Sequence, residues 1–497
     1  MSFRLITQEL QELKPTEPTP VLPVKPSQSA KYIFSIILLA FLLIISYPIA
    51  LYILLHCSTS QFQRGNFSAS LACAKLSSGL SRLVPQASPY LVVSRQLSET
   101  LVLANQFASH SLPYLQSFFG RGQSPASDTT DLSFTLSRLI DSLAFLQASL
   151  QPLPRLTPLL ARVNAARTLI QKISPLIASL PELLSLNGKS TTLLLLQDST
   201  ELRPTGGFLS HIALLSLDSG RLTNVQIYDT ATTDSQLRGQ VSPPVDLARA
   251  TGESSWFLRD SNWDPDFPSS AARAIWFVNK ELSLSPDRVV SLNLGTLVEL
   301  LSMVGPLQLS ELNLTVTKQN FFSQYLAPPD ILFSFYQHFF DQFRALNSSQ
   351  LSRAVGIIIN SLESRQTLIT STVWSGEVAP STCRSALPCL NHYFYAVSSN
   401  IGVNKTNMFI QPIAQLAVQI EPTRADFQYQ VDFTHTSSQT NWPSGHYKNY
   451  LRLYLSPQSE PDAVLINGQP APDYYVTAER GLVVLGVLID PPPATTT

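Results

Sequence analysis

Charge is what this chain has least of. Only 13% of its 497 residues are Asp, Glu, Lys or Arg, against 44% hydrophobic, and the formal net charge is -1. A near-neutral chain offers no basic field for nucleic acid and no acidic excess of the kind that keeps a tail solvated. So few charges over so much apolar residue fit a chain attached to a membrane better than a freely soluble one. Cysteine is scarce as well. Cys57, Cys73, Cys383 and Cys389 show neither the doubled Cys-x-x-Cys nor the Cys/His spacing of a zinc site. Cys383 and Cys389 are close enough, with turn formers between them, to close a small disulfide loop if the body lies outside the cytoplasm; two unpaired thiols are the other reading. Gly-x-Ser-x-Gly, Walker and dinucleotide-binding spacings are all missing, and His211 inside a strand-like run reads as a packed or surface histidine.

What is present begins with a proline-punctuated tail over residues 1–31, too polar to bury a core. The run Tyr32 to Leu55 is almost wholly apolar and uncharged, long enough to cross the roughly 30 Å hydrocarbon layer as a helix, with Pro48 kinking it. It starts too far from Met1 and is too long for a removed signal peptide, so it reads as a retained anchor. Lys14, Lys25 and Lys31 outnumber Arg64 and Lys75, which predicts a cytoplasmic N-terminus, a single pass through the cell membrane and an extracytoplasmic body.

Residues 56–186 carry two leucine stripes at helical spacing, Leu132 to Leu150 and Leu156 to Leu184, separated by Pro152 and Pro154, and predict an antiparallel helical stalk. From 187 to 425 strand-like and helical periods alternate, which predicts an α/β sandwich head, with a helical insertion over 318–372 rich in Phe and Tyr. Helix packing accounts for those aromatics, and a groove for a lipid chain is the sharper alternative. Residues 426–490 predict a β-rich C-terminal module, and 491–497 a flexible end. The fold class is α/β.

Two stretches carry candidate chemistry. Gln197-Asp198-Ser199-Thr200-Glu201-Leu202-Arg203-Pro204-Thr205-Gly206-Gly207-Phe208 sets charge, proline and paired glycine between two apolar strands. The second, Leu258 to Pro268, places Asp260, Asn262, Asp264 and Asp266 at alternate positions, an oxygen-rich pattern suited to Mg²⁺ or Ca²⁺. It is not an EF-hand, because Pro265 stands where that loop needs glycine. A solvated, helix-capping loop is the equal alternative, with Ser269 and Ser270 as N-cap candidates of a helix running to about Leu282. Arg203, Arg259 and Arg273 are the cations nearest these loops, and an arginine fork suits pyrophosphate oxygens; Gly206 and Gly207 let backbone approach closely.

ELRPTGGF, LRDSNWDPDFPSSA and the later Asn400-Ile401-Gly402-Val403-Asn404-Lys405-Thr406-Asn407 together resemble a bacterial, membrane-anchored family known as domain of unknown function 4012, over roughly residues 187–460. That family is in turn distantly similar to the LytR-CpsA-Psr cell-wall ligases, which move glycopolymers from polyprenyl pyrophosphate carriers. Those ligases use arginines for pyrophosphate and aspartates for Mg²⁺, and by position the resemblance implies such roles for Asp198, Arg203, Arg259 and Asp260. With the residue reading above, the candidate site is catalytic Asp198, Arg203 and Asp260, pyrophosphate-binding Arg203, Arg259, Arg273, Gly206 and Gly207, and a Mg²⁺ at Asp260, Asn262, Asp264 and Asp266. Two functions follow as expectations. One is an envelope protein that binds, and transfers, a polyprenyl-linked glycan or cell-wall polymer. The other is a noncatalytic envelope scaffold or adhesion protein in which Arg203 and Asp260 form a structural ion pair.

Overall fold

The computed structural model describes residues 28–83, 88–121, 128–327, 330–370, 375–378, 393–422 and 424–494; the side chains of 28–45, 348 and 352 are outside the described set. Most of the N-terminal tail, and both Cys383 and Cys389, lie outside the described residues.

Five helices come first: α1 (Gln28–Gln63), α2 (Phe67–Arg82), α3 (Pro89–Phe118), α4 (Thr130–Leu150) and α5 (Thr157–Leu183), each packed on the next. The apolar run at 32–55 therefore has helical backbone, but the membrane-crossing helix expected there is not recovered. Among the described residues no helix is long and apolar enough to cross a membrane, and the side chains of 28–45 fall outside that set. The leucine stripe of α4 is buried as its period requires, with Leu132, Leu136, Leu139, Leu143, Leu146 and Leu150 all inside. The interface of α2 is of a different kind. It is built of serine and alanine, with Ser77 Oγ 2.7 Å from Ser98 Oγ and Ser58 Oγ 3.2 Å from Ser70 Oγ, so small side chains let the helices approach and every buried hydroxyl in these pairs finds a partner.

A disulfide joins Cys57 on α1 to Cys73 on α2. Spacing alone did not single this pair out, because the two residues sit on antiparallel helices and meet only when the hairpin closes at Gly65 (φ 74°). A cross-link over a loop of this size stabilises by about 3 kcal/mol in the chain-entropy account. Cys57→Ser is therefore expected to lose about that much and to speed hydrogen exchange in α2 relative to α4.

The first sheet is mixed. Its strands are β1 (Lys189–Asp198), β2 (Phe208–Asp218), β3 (Arg221–Asp229), β4 (Arg288–Asn293) and β7 (Thr367–Ile369), in the order β3-β2-β1-β4-β7, with only β1 and β4 parallel. Between β3 and β4 lie α6 (Thr230–Asp234), α7 (Val245–Thr251) and α8 (Phe267–Leu282). Between β4 and β7 lie α9 (Leu294–Val304), the short pair β5 (Leu307–Leu309) and β6 (Leu314–Val316), then α10 (Phe321–Tyr325), α11 (Leu332–Arg344) and α12 (Ser348–Glu363). The continuous apolar run of β1 is explained by burial on both faces. Leu193 and Leu195 face Phe267, Ala271, Ala274 and Phe277 of α8, while Leu194 and Leu196 face α9 to α12. The aromatics Phe321, Phe335, Tyr336 and Phe339 fill that second layer as core. His211 stands opposite Leu196 and so shares the α11 side, its ring 5.3 Å from Tyr336, while a bulge just beyond this pair, between Leu196 and Gln197, carries Leu209 to the α8 side. Burial lowers the His211 pKa, only partly opposed by Asp229 and Asp330.

Helix α8 begins as expected but is not capped by a serine. Asp266 is the N-cap, in extended backbone, its carboxylate accepting from Ser269 N and Oγ, while Pro268 sits in the first turn, where its missing N–H costs no intrahelical bond.

A second, antiparallel sheet follows, of β8 (Phe394–Asn400), β11 (Asn449–Leu455), β14 (Tyr474–Glu479) and β15 (Leu482–Ile489), in the order β14-β15-β11-β8. It draws strands from both sides of residue 426, since β8 pairs with β11. Between β8 and β11 rises a long hairpin, β9 (Ile410–Ile420) and β10 (Ala425–His435), and between β11 and β14 a small one, β12 (Leu465–Ile466) and β13 (Gln469–Pro470). The stalk meets the helical layer of the head through Lys172 and Glu363, 2.7 Å apart, and through Arg121, which donates to the carbonyls of Arg344 and Leu346.

Candidate functional site

The site is the turn between β1 and β2, residues 199–207. Its shape is dictated by the two glycines. At Gly206 (φ 137°) a Cβ would stand 2.5 Å from Asn293 Oδ1 and 2.6 Å from Gln197 Oε1, and at Gly207 one would stand 2.4 Å from the Asp198 carbonyl. These glycines press the turn onto the strand ends below it; no phosphate is needed to explain them. Among the described residues the buried Oε1 of Gln197 and Oδ1 of Asn293 accept no hydrogen bond, and both lie against the Gly206 backbone. Gly206→Ala combines steric overlap with backbone strain and is expected to destabilise by about 2–3 kcal/mol, read as a lowered unfolding midpoint.

Held this way, the turn folds its charges inward. Asp198 is 0% exposed; its Oδ1 accepts from Thr200 N at 2.9 Å, and its Oδ2 accepts from Lys405 Nζ at 2.7 Å and from the Tyr325 hydroxyl. Glu201 takes a second bond from Lys405, at 3.1 Å, and one from Arg203 Nη2 at 3.2 Å. Arg203 is 5% exposed. Its Nε donates to Asp260 Oδ1 at 3.3 Å, and its Nη1 to the carbonyls of Leu202 and Asn400, while the guanidinium lies 5.1 Å from the Phe208 ring centre. Arg259 continues the chain, 3.7 Å from Asp260 Oδ2, donating to Asp234 and Glu253 at 3.2 Å each. Burial pulls the Lys405 ammonium pKa down, but Asp198 and Glu201 more than offset it and leave lysine firmly charged. Burial and the Asp198 charge raise the Tyr325 hydroxyl far above its ordinary value, so it remains a donor.

Asp198, Arg203, Arg259 and Asp260 thus lie in one network of ion pairs, linked through Glu201. Gly206 and Gly207 form the turn itself, but the other expected metal ligands do not join Asp260 at a common point. Asp264 pairs with Arg480, Asp266 caps α8 and accepts from Val378 N at 2.9 Å, and Asn262 donates to the Gly207 carbonyl at 2.8 Å. Among the described residues no three His, Cys, Asp or Glu side chains are placed to hold a metal ion. Alternate spacing in an irregular turn does not aim side chains at one point, and each of these acids finds its own cation or amide. Arg273 lies away from the network, on α8, stacked 4.4 Å from Trp256 and 5.5 Å from Trp276.

The arrangement joins the two sheets. Asn400 N donates to the Leu202 carbonyl at 2.9 Å, and Leu202 N to Asn407 Oδ1 at 2.9 Å. The second stretch docks on the same C-terminal sheet. Trp263 stacks on Tyr450 with ring centres 5.7 Å apart and donates to Asp246, while buried Arg452 donates to Asp246 at 2.9 Å and to the Trp263 carbonyl at 2.7 Å. Glu201, Lys405 and Asn400 sit in motifs that the sequence displayed, and their charge and amide content was the available signal. Tyr325, Arg452 and Arg480 had none.

Behind the network lies an acidic pair. Burial pushes the Asp234 carboxyl up to about 6, with Arg259 partly opposing. Burial and the Asp234 charge push Glu281 up to about 8, and among the described residues neither carboxyl oxygen of Glu281 has a hydrogen-bond partner. In front of the network a cleft of about 240 Å³ opens at the C-terminal ends of β1 and β4, its walls including Arg203, Thr205, Asn293, Arg365 and Tyr395. The ends of a parallel pair where the chain runs off in opposite directions form the usual crevice of an open α/β sheet.

Residues 187–327 match the family model described as a protein of unknown function, DUF4012. The match spans β1 to α10 and includes two of the three motifs that meet at the joint; Asn400 to Asn407 lies beyond it. No curated protein and no solved structure matches the chain. The likeness to LytR-CpsA-Psr ligases is not shown by these comparisons.

Proposed function

We propose that this is a membrane-anchored, extracytoplasmic scaffold of the cell envelope, in which the DUF4012 segment and the C-terminal sheet are locked into one noncatalytic head. The observation that carries this reading is the state of Arg203. Its donors are directed at Asp260, Glu201, Leu202 and Asn400, and it is almost wholly buried, so no free fork is left for a pyrophosphate. Anchorage through residues 32–55 with a cytoplasmic N-terminus is supported by the Cys57–Cys73 disulfide directly beyond that run, since such bonds persist in oxidising compartments.

A second reading keeps a polyprenyl-linked phosphorylated glycan as ligand and Mg²⁺ as its partner. It is favoured by one observation, the cleft, whose Arg365 is exposed and, among the described residues, held in no ion pair. Titration of the full-length protein with a polyprenyl pyrophosphate in detergent micelles, with and without Mg²⁺, separates the readings. The scaffold reading expects no Mg²⁺-dependent saturation, and Arg365→Ala to change nothing. Saturable binding lost in Arg365→Ala favours the glycan reading instead.

A further inference from the structure

The hairpin β9–β10 stands out from the head as an 11-residue pair of strands. Its cross-strand register puts Pro412, Ala414, Leu416, Val418 and Ile420 on one face with Phe433, Val431, Tyr429, Phe427 and Ala425. The β10 half of that face is covered in its middle, where Tyr429 and Val431 pack on Leu451, Leu485 and Val487, and Phe394 meets Tyr429 and one side of Phe427, which stays 41% exposed. The β9 half is not. Leu416, Val418 and Ile420 are 45%, 53% and 79% exposed, and Ile413 on the other face 60%. Among the described residues the outer edge of β9 pairs with no strand.

Sheet edges of this length are ordinarily guarded by charge or by a covering element. Strand β9, Ile410-Gln411-Pro412-Ile413-Ala414-Gln415-Leu416-Ala417-Val418-Gln419-Ile420, carries no charged residue, and Pro412 is its one guard. Its sequence has a further property. Reversed against itself about Gln415, it sets Ile410 opposite Ile420, Gln411 opposite Gln419, Pro412 opposite Val418, Ile413 opposite Ala417, Ala414 opposite Leu416, and Gln415 opposite Gln415. Every glutamine meets a glutamine and every apolar residue an apolar one. A register slip of one residue would lose this, since side chains alternate faces with period two.

We propose that β9 is a self-association edge, pairing antiparallel with β9 of a second copy of this chain about a two-fold axis through Gln415. The two hairpins then form one four-stranded sheet. Leu416 and Val418 of each copy lie beside Ala414 and Pro412 of the other, and the glutamines form an amide ladder on the opposite face. Pro412 withholds one N–H per copy, which weakens the ladder without blocking it. At roughly 30–40 Å² per interface residue, 11 residues a side bury about 400 Å² per copy, the size of a weak, concentration-dependent contact and not of an obligate dimer. This inference rests on the hairpin alone and stands or falls independently of the scaffold reading.

The test is charge reversal at the axis in the full-length protein, followed by sedimentation velocity. The parent is expected to show a dimer fraction that rises with concentration. Gln415→Lys and Gln415→Glu, at an exposed position that leaves the fold intact, should each lower association at least tenfold by placing like charges face to face. Mixing the two should restore it. Gln415→Cys should cross-link as a disulfide dimer on mild oxidation, directly opposed strand residues being about 4.5–5.5 Å apart at Cα, whereas Gln430→Cys on β10 should not. A parent that remains monomeric at every soluble concentration overturns the proposal, whatever else then covers the edge: a lipid surface, another protein or another part of this chain. So does association indifferent to both charges at 415.

Discussion

Arg203→Ala is expected to destabilise the head by about 2–4 kcal/mol, the cost of taking one cation out of a buried, hydrogen-bonded charge network. The magnitude follows from what the side chain does. It bridges Glu201 and Asp260 and also donates to the carbonyl of Asn400, so its removal leaves Glu201 to Lys405 and Asp260 to Arg259 and opens the seam between the sheets. Hydrogen exchange gives the local readout. The Asn400 amide, which donates to Leu202 across the seam, should lose protection, while the β1–β2 ladder should be less affected. Arg203→Lys should recover little, since an ammonium cannot reach the carboxylates and the carbonyl at once. An active-site arginine would behave otherwise, with near-parental stability and lost ligand binding.

Glu281→Gln is expected to stabilise the protein at neutral and alkaline pH. The folded pKa of Glu281 is raised to about 8 from an ordinary value of 4.5, first by burial and then by the Asp234 charge. A carboxyl whose folded pKa is raised contributes its full stability below the unfolded pKa, and loses it as pH rises towards the folded one. The parent should therefore weaken between about pH 4.5 and pH 8 through this group. Glutamine keeps the shape, cannot ionise and removes that slope. At pH 8 the gain, discounted for residual solvation of the carboxyl, is about 2 kcal/mol; near pH 4 the two proteins should be equal. Urea unfolding at both pH values measures it. Equal stability of parent and variant at pH 8 would mean that Glu281 ionises freely.

The elements with strong local signals were readable from the chain. The apolar run of β1, the Asp218-Ser219-Gly220 turn into β3 and the amphipathic face of α8 each depend on residues near one another. The turn holds its two central residues at positive φ, as Ser219 at 49° and Gly220 at 82° show. The site was half readable. Asp198, Arg203, Arg259 and Asp260 were found because charge inside a low-charge chain is conspicuous. Their purpose was not visible, because the partners are remote: Lys405 is 207 residues from Asp198, Arg452 is 206 from Asp246, and Arg480 is 216 from Asp264. Without those cations the acids of 260–266 look like an unfilled metal loop. With them each acid has its own counter-ion or cap. The Cys57–Cys73 bridge was missed for the same reason, since only the packed hairpin brings the two helices together.

The measurement closest to the central claim, that the β1–β2 turn is a joint and not a ligand site, is a double-mutant cycle on Asp198 and Lys405. These two side chains link the end of the first sheet to the segment leaving the second, 2.7 Å apart. Asp198→Asn, Lys405→Met and the double variant, unfolded in urea, should give a coupling of about 2–3 kcal/mol, at the upper end for contacting residues. A coupling near zero, with both single variants close to the parent in stability, would contradict the joint.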